Sequence, residues 1–131
     1  MGLGPRGEQT LYVVLSSAPF KKGKPLSRFG MHAKIRSQTG QRDALVAVLL
    51  DAAAALQQVP GCQLYLISVS PSEPDTVWVT EVWSSQAEHQ ASLTRDDIQP
   101  ILTRGRPLIA AFERIEIEPI GGKGLSTGMP G

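Results

Sequence analysis

Between Phe29 and Ile120 the spacing of apolar residues switches from two to about 3.6 and back, and this alternation limits the folds open to the chain. Phe29, Met31, Ala33 and Ile35 alternate with Gly30, His32, Lys34 and Arg36, the period of a half-buried strand. After the turn residues Gln38-Thr39-Gly40, the positions Leu45, Val48, Leu49, Ala52 and Leu56 make one apolar stripe on a helix expected over 41–58. The run Ala52–Ala55 favours that helix, and Pro60-Gly61 ends it. Cys62 to Ser70 and Thr76 to Ser84 read as the second and third strands. A loop carrying Pro71, Ser72, Pro74 and Asp75 joins them into an antiparallel hairpin. On the third strand Val77, Val79, Glu81 and Trp83 share one face, and Trp78, Thr80 and Val82 the other.

Ser85-Gln86-Ala87-Glu88 has the spacing of a capping box, which predicts a short helix through Leu93. Thr94-Arg95-Asp96-Asp97 repeats the signal and predicts a second helical piece, interrupted by Pro100 and Pro107. Alternation returns from Phe112 to Ile120, with Phe112, Arg114, Glu116 and Glu118 against Glu113, Ile115, Ile117 and Pro119. The order β-α-β-β-α-β is that of an α+β, ferredoxin-like domain: a four-stranded antiparallel sheet with its helices on one face. The second strand carries apolar groups on both sides, Tyr65, Ile67 and Val69 against Leu64 and Leu66. An uncovered apolar sheet face marks an interface, so a homodimer through the sheets is expected.

Composition narrows the remaining classes. The chain has 131 residues, one cysteine, and 13 basic against 12 acidic residues, which is one domain's worth and no disulfide scaffold. Ten of 13 glycines fall in residues 1–30 and 119–131, so the compact unit is expected in between. Residues 1–28 read as an extension, either flexible or supplying an added edge strand at Thr10–Ser16. Residues 126–131 read as a tail. Residues 1–40 hold seven basic residues and one acid, but no interleaved aromatic pattern or recognition-helix motif, so no nucleic-acid partner is expected. Apolar runs fall short of the roughly 18 residues that span a bilayer, and the start lacks a signal-peptide core. A cytoplasmic location without membrane partners is the expectation. Two histidines without local ligand spacing argue against a metal site. Gly121-Gly122-Lys123-Gly124 lacks the remainder of a phosphate-binding loop.

Several runs together carry a resemblance. They are Phe29-Gly30-Met31-His32-Ala33-Lys34 with Gly40-Gln41-Arg42-Asp43, then Gly61-Cys62-Gln63-Leu64-Tyr65. Pro74-Asp75-Thr76-Val77-Trp78-Val79-Thr80-Glu81-Val82-Trp83 and Glu88-His89 follow, and Arg106-Pro107-Leu108-Ile109 through Gly121-Gly122-Lys123-Gly124-Leu125 closes the series. In this order they resemble the antibiotic biosynthesis monooxygenase family of small dimeric α+β barrels, over about residues 29–125. The resemblance implies a cofactor-independent monooxygenase acting with O2 on a phenol, a quinol or an aromatic polyketide. In such enzymes the deprotonated substrate is its own reductant, and the protein supplies a pocket, a proton acceptor and polar anchors.

The resemblance puts His89, Trp83 and Glu81 in the catalytic roles. His89 is the candidate base, at the start of a helix whose N-terminus favours neutral imidazole; the plain alternative is an exposed polar residue. Trp83 is expected either to wall the pocket or to pack the core, and Glu81 to accept bonds from its surroundings. Tyr65, His32 and Arg106 are candidate substrate-binding residues, set against a solvated role for Arg106 and its neighbour Arg104. Cys62 reads as a small buried hydrophobe. Haem-degrading relatives need an asparagine on the first strand, where this chain has His32, Ala33 and Lys34. The competing reading is a non-catalytic small-molecule binding or stress-related protein on the same fold, with an isomerase or haem-linked relative behind it. A closed, side-chain-filled space around Trp83 and His89 would favour the non-catalytic reading.

Overall fold

The computed structural model describes residues 27–125. Most of the expected extension and the whole tail 126–131 lie outside the described residues, as does the Thr10–Ser16 strand. The elements run β1 (Phe29–Ser37), α1 (Arg42–Leu56), β2 (Cys62–Ser70), β3 (Glu73–Trp83), α2 (Gln86–Ser92), α3 (Gln99–Gly105), a 3-10 turn (Arg106–Leu108) and β4 (Ile109–Ile117). The strands form one antiparallel sheet in the order β2-β3-β1-β4, the ferredoxin-like arrangement.

The alternation read in the sequence decides which side of the sheet each residue takes. Phe29, Met31, Ala33 and Ile35 lie beside Trp83, Glu81, Val79 and Val77 on the side covered by helices, and all eight are buried. The predicted stripe of α1 (Leu45, Val48, Leu49, Ala52 and Leu56) is the buried face of that helix. Ala33, Ile35, Leu45, Leu49, Val77, Val79 and Ile109 build one core cluster. Met31, Ala52, Leu56, Trp83, Ile98 and Ile101 belong to a second, towards the end where the helices α2 and α3 enter. The other sheet side carries Gly30, His32, Lys34, Trp78, Thr80, Val82, Ile115 and Ile117. It is open and partly apolar: Leu66, Ile115 and Ile117 are exposed, and His32 stacks on Trp78 with ring centroids 5.2 Å apart.

Boundaries differ from expectation in places where proline or alanine blurred the pattern. Strand β3 starts at Glu73 rather than Thr76, because Ser70 pairs with Glu73 and closes the hairpin around Pro71 and Ser72. Pro74 is tolerated there because β1 pairs with β3 only from Thr76 onward. The second helical piece begins at Gln99, not Thr94, and Pro100 occupies its first turn instead of breaking it. Residues Leu93 to Ile98 form turns, with Arg95 bound to Asp97 through two 2.9 Å hydrogen bonds. Strand β4 starts at Ile109, after a register shift between Arg36 and Ser37, and ends before Glu118.

Helix α2 is placed by Ser85, whose Oγ accepts from the Glu88 N–H at 3.2 Å, and by Gly61 at the head of β2. A Cβ on Gly61 would lie 2.8 Å from Glu88 Cβ and 2.6 Å from its Oε1, so only glycine allows α2 this close. Gly61→Ala is therefore expected to cost about 1–3 kcal/mol, the range for overpacking a tight contact. Urea unfolding checks this, and an unchanged midpoint would mean that α2 is not seated on Gly61.

Candidate functional site

The residues singled out from the sequence divide between the two sides of the sheet. Glu81 and Trp83, two apart on β3, point to the helix side by strand alternation. His89 comes to the same place from the middle of α2. Each of the three is 1% exposed. Trp83 Nε1 donates to Glu81 Oε1 at 3.0 Å, and His89 Nε2 lies 3.7 Å from the same oxygen. The imidazole is packed between aromatic rings, with centroids 5.1 Å from Phe29 and 5.4 Å from Trp83, the latter edge-on. Ser92 Oγ donates to the His89 carbonyl at 2.6 Å and steadies the turn that carries the ring. Tyr65 is the cross-strand neighbour of Glu81 on β2 and is half-buried.

Burial sets the charge states of this cluster. It raises the Glu81 carboxyl to about 7, against the opposing pull of the Trp83 N–H and the Arg114 guanidinium. It lowers His89 to about 4, and the positive charge of Arg114 lowers it further. The imidazole is thus kept neutral by desolvation and Arg114, where the sequence suggested a helix N-terminus. Burial also lifts the Tyr65 phenol well above its ordinary range, with the Glu81 charge adding to the effect. Cys62 is half-buried, and burial raises its thiol to about 11.

Polar capacity is left over at the centre. Glu81 Oε2 and both ring nitrogens of His89 have no hydrogen-bond partner among the described residues. Buried polar atoms are almost always bonded, and leaving one unbonded costs about 1–3 kcal/mol. Two adjacent groups in this condition can accept a proton or hydrogen bond from a third molecule.

His32 and Arg106 do not join them. His32 lies on the open side, its Nδ1 3.0 Å from Thr80 Oγ1. Arg106 sits in the 3-10 turn and donates to Thr103 Oγ1 at 3.4 Å. Arg104 pairs with Asp51 at 3.0 Å on the surface. The residue that sequence reasoning missed is Arg114, on the helix side of β4, with its Nη1 3.3 Å from Met31 Sδ. Its signal was present: Arg114 shares a strand face with Phe112. A cavity of about 460 Å³ lies at the hairpin end of the sheet, bordered by Lys34, Arg36, Glu73, Asp75 and Glu113, and contains none of the cluster residues.

The model of the antibiotic biosynthesis monooxygenase family matches residues 28–102, and the chain belongs to that family. A structure from Chloroflexus aurantiacus J-10-fl that carries the family's name is 44% identical, covering 76% of this chain and 100% of its own, with a TM-score of 0.71. One from Caulobacter crescentus CB15, again named for the family, shares 20% identity over 74% of this chain and 93% of its own, with a TM-score of 0.68. SnoaB, a cofactor-independent oxygenase from Streptomyces nogalater, shares the fold at 14% identity, over 74% of this chain and 97% of its own, with a TM-score of 0.64. No match is found among curated proteins. Among the described residues, no helix is long and apolar enough to cross a membrane.

The raised carboxyl makes stability depend on pH in a definite sense. A carboxyl at 4.5 in the unfolded chain and about 7 when folded supports folding fully below pH 4.5 and loses that support as pH rises through 7. The lowered His89 acts oppositely, its support present above 6.5 and lost as pH falls towards 4. Glu81→Gln keeps an acceptor for Trp83 and removes the charge. Its stability relative to wild type is expected to improve from pH 5 to pH 8, by on the order of 2–3 kcal/mol. Urea unfolding at both values checks this; the same difference at both would show that the carboxyl is not held high.

Proposed function

We propose that the chain is a cofactor-independent monooxygenase that oxidises a phenolic, quinol or aromatic-polyketide substrate with O2. The observation that carries this reading is the buried Glu81–His89 pair with its unfilled polar atoms, walled by Phe29 and Trp83. Family membership supports it, as does the fold shared with SnoaB, a cofactor-independent oxygenase.

In this reading a substrate hydroxyl gives its proton to the Glu81–His89 pair. Glu81 and His89 are close enough that a proton on either is shared with the other's field. The substrate anion is then the reductant. It passes electrons to O2; one oxygen atom enters the product and the other leaves as water, with two hydrogens removed from the substrate. Trp83 holds Glu81 in place and offers a flat apolar wall to an aromatic ring. Tyr65 is the neighbour of Glu81 across β2 and β3. The open side of the sheet, with Leu66, Ile115 and Ile117 exposed, is the surface through which two copies would associate.

The burial of the three side chains favours a second reading, a non-catalytic small-molecule binding protein. Oxygen uptake by metal-free protein with a panel of hydroquinones and anthrones separates the two. Uptake is expected, with kcat/KM rising through about pH 7 as the pair loses its proton, and falling about 10²–10³-fold in His89→Ala. No uptake, or uptake indifferent to His89, would give the non-catalytic reading. Light scattering at micromolar concentration is expected to return twice the chain mass, and the mass of one chain would refute the dimer.

A further inference from the structure

Glu81 Oε2 and both ring nitrogens of His89 are sealed from solvent. A small molecule reaches them only if part of the fold moves, and the packing around them differs from element to element. Helix α1 buries five apolar side chains, so lifting it would expose the core itself. Strands β1 and β3 are interior to the sheet and would each lose a ladder on both sides. Helix α2 is different, because the residues it buries are His89 and Ser92, both polar. Detaching α2 takes no buried apolar side chain of its own out of the core. What it uncovers is the rings of Phe29 and Trp83 that pack on the imidazole. It also returns the unbonded polar atoms to water, which offsets part of the cost. The flanks are held where α2 is not: Trp83 before it, and Leu93 and Ile98 after it, are buried. Turns join Leu93 to Ile98, and Ser84 and Ser85 make the link on the other side. Partial opening of a fold falls on segments with few buried apolar contacts.

We propose that α2 is a lid, which swings away from the sheet between Trp83 and Leu93, carries His89 with it and opens Glu81 to a small molecule. This rests on the reading of the pair as a small-molecule site, whether it catalyses or only binds. The latch is at the head of the helix, where Ser85 Oγ accepts from the Glu88 N–H and the Glu88 side chain lies against Gly61. Closing the lid brings His89 Nε2 to 3.7 Å from Glu81 Oε1, so the pair is assembled only when the helix is down. The same movement that admits a molecule thus takes the pair apart, and the return of α2 restores it.

The test uses diethyl pyrocarbonate, which acylates neutral imidazole nitrogens, on the full chain, with each histidine followed by peptide mass spectrometry. His32, half-buried on the open side of the sheet, is the internal reference. Deuterium exchange of the α1 amides gives the unfolded fraction in the same solution. The open fraction of His89, read from its rate against that of free histidine, is expected to exceed the unfolded fraction by about tenfold or more and to be insensitive to low urea. Ser85→Ala removes the latch and is expected to raise the His89 rate about 3–10-fold with His32 unmoved. Wild-type His89 that reacts only in step with the unfolding of α1, with the same steep urea dependence, would overturn the lid without any variant having to fold. So would a His89 rate that Ser85→Ala leaves where it was. Oxygen uptake is read separately. Uptake with a His89 that never opens would keep the oxygenase reading and strike the lid, and opening without uptake would keep the lid on a binding site.

Discussion

The site turns on a carboxyl group that has been taken out of water. Glu81 is buried near the end of β3, one of the two central strands, at a position where an apolar residue would be the default. One N–H, from Trp83, meets one of its oxygens. That single bond offsets part of the desolvation, and the remaining cost appears as a carboxyl that ionises only near neutral pH. The surroundings follow from this choice. The indole must sit two residues on along the same face, β1 must put Met31 alongside, and α2 must close down over the pair with His89.

That closure depends on residues with little chemistry of their own. Gly61 lets the first turn of α2 touch the head of β2, and the Ser84 N–H donates to the Gly61 carbonyl at 2.8 Å. Ser85 then caps the helix, and four residues later His89, the fourth residue of α2, presents the imidazole. Downstream, the Gln99 side chain donates to the Leu93 carbonyl and joins the end of α2 to the start of α3. A seven-residue helix has little stability alone. Its position comes from these bonds and from the apolar rings against which His89 packs.

Much of this was legible because it is written in periodicity. The stripe from Leu45 to Leu56 and the alternations of β1 and β3 assign a side to each residue, which is enough to put Glu81 and Trp83 together. What periodicity cannot supply is the choice between two equally patterned sides. On β4 the isoleucines Ile115 and Ile117 look like the inward set, yet they lie on the open side while Phe112 and Arg114 face the helices. Local signals also compete: Arg95 and Asp97 look like a helix start but satisfy one another across a turn, and Ala110-Ala111 carries no alternation to mark where β4 begins. His32 shows the remaining limit, since only the fold tells that its strand position sends it to the opposite side from His89.

The two tryptophans of the chain stand back to back through β3, five residues apart. Trp83 is sealed among the helices and bonded to a titrating carboxyl, while Trp78 lies on the open side between His32 and the Lys34 ammonium, 5.5 Å from its ring centroid. The indole is sensitive to the polarity and charge around it. Each surface of the sheet therefore carries its own intrinsic fluorophore, so replacing either with phenylalanine leaves a chain whose emission reports on one surface alone.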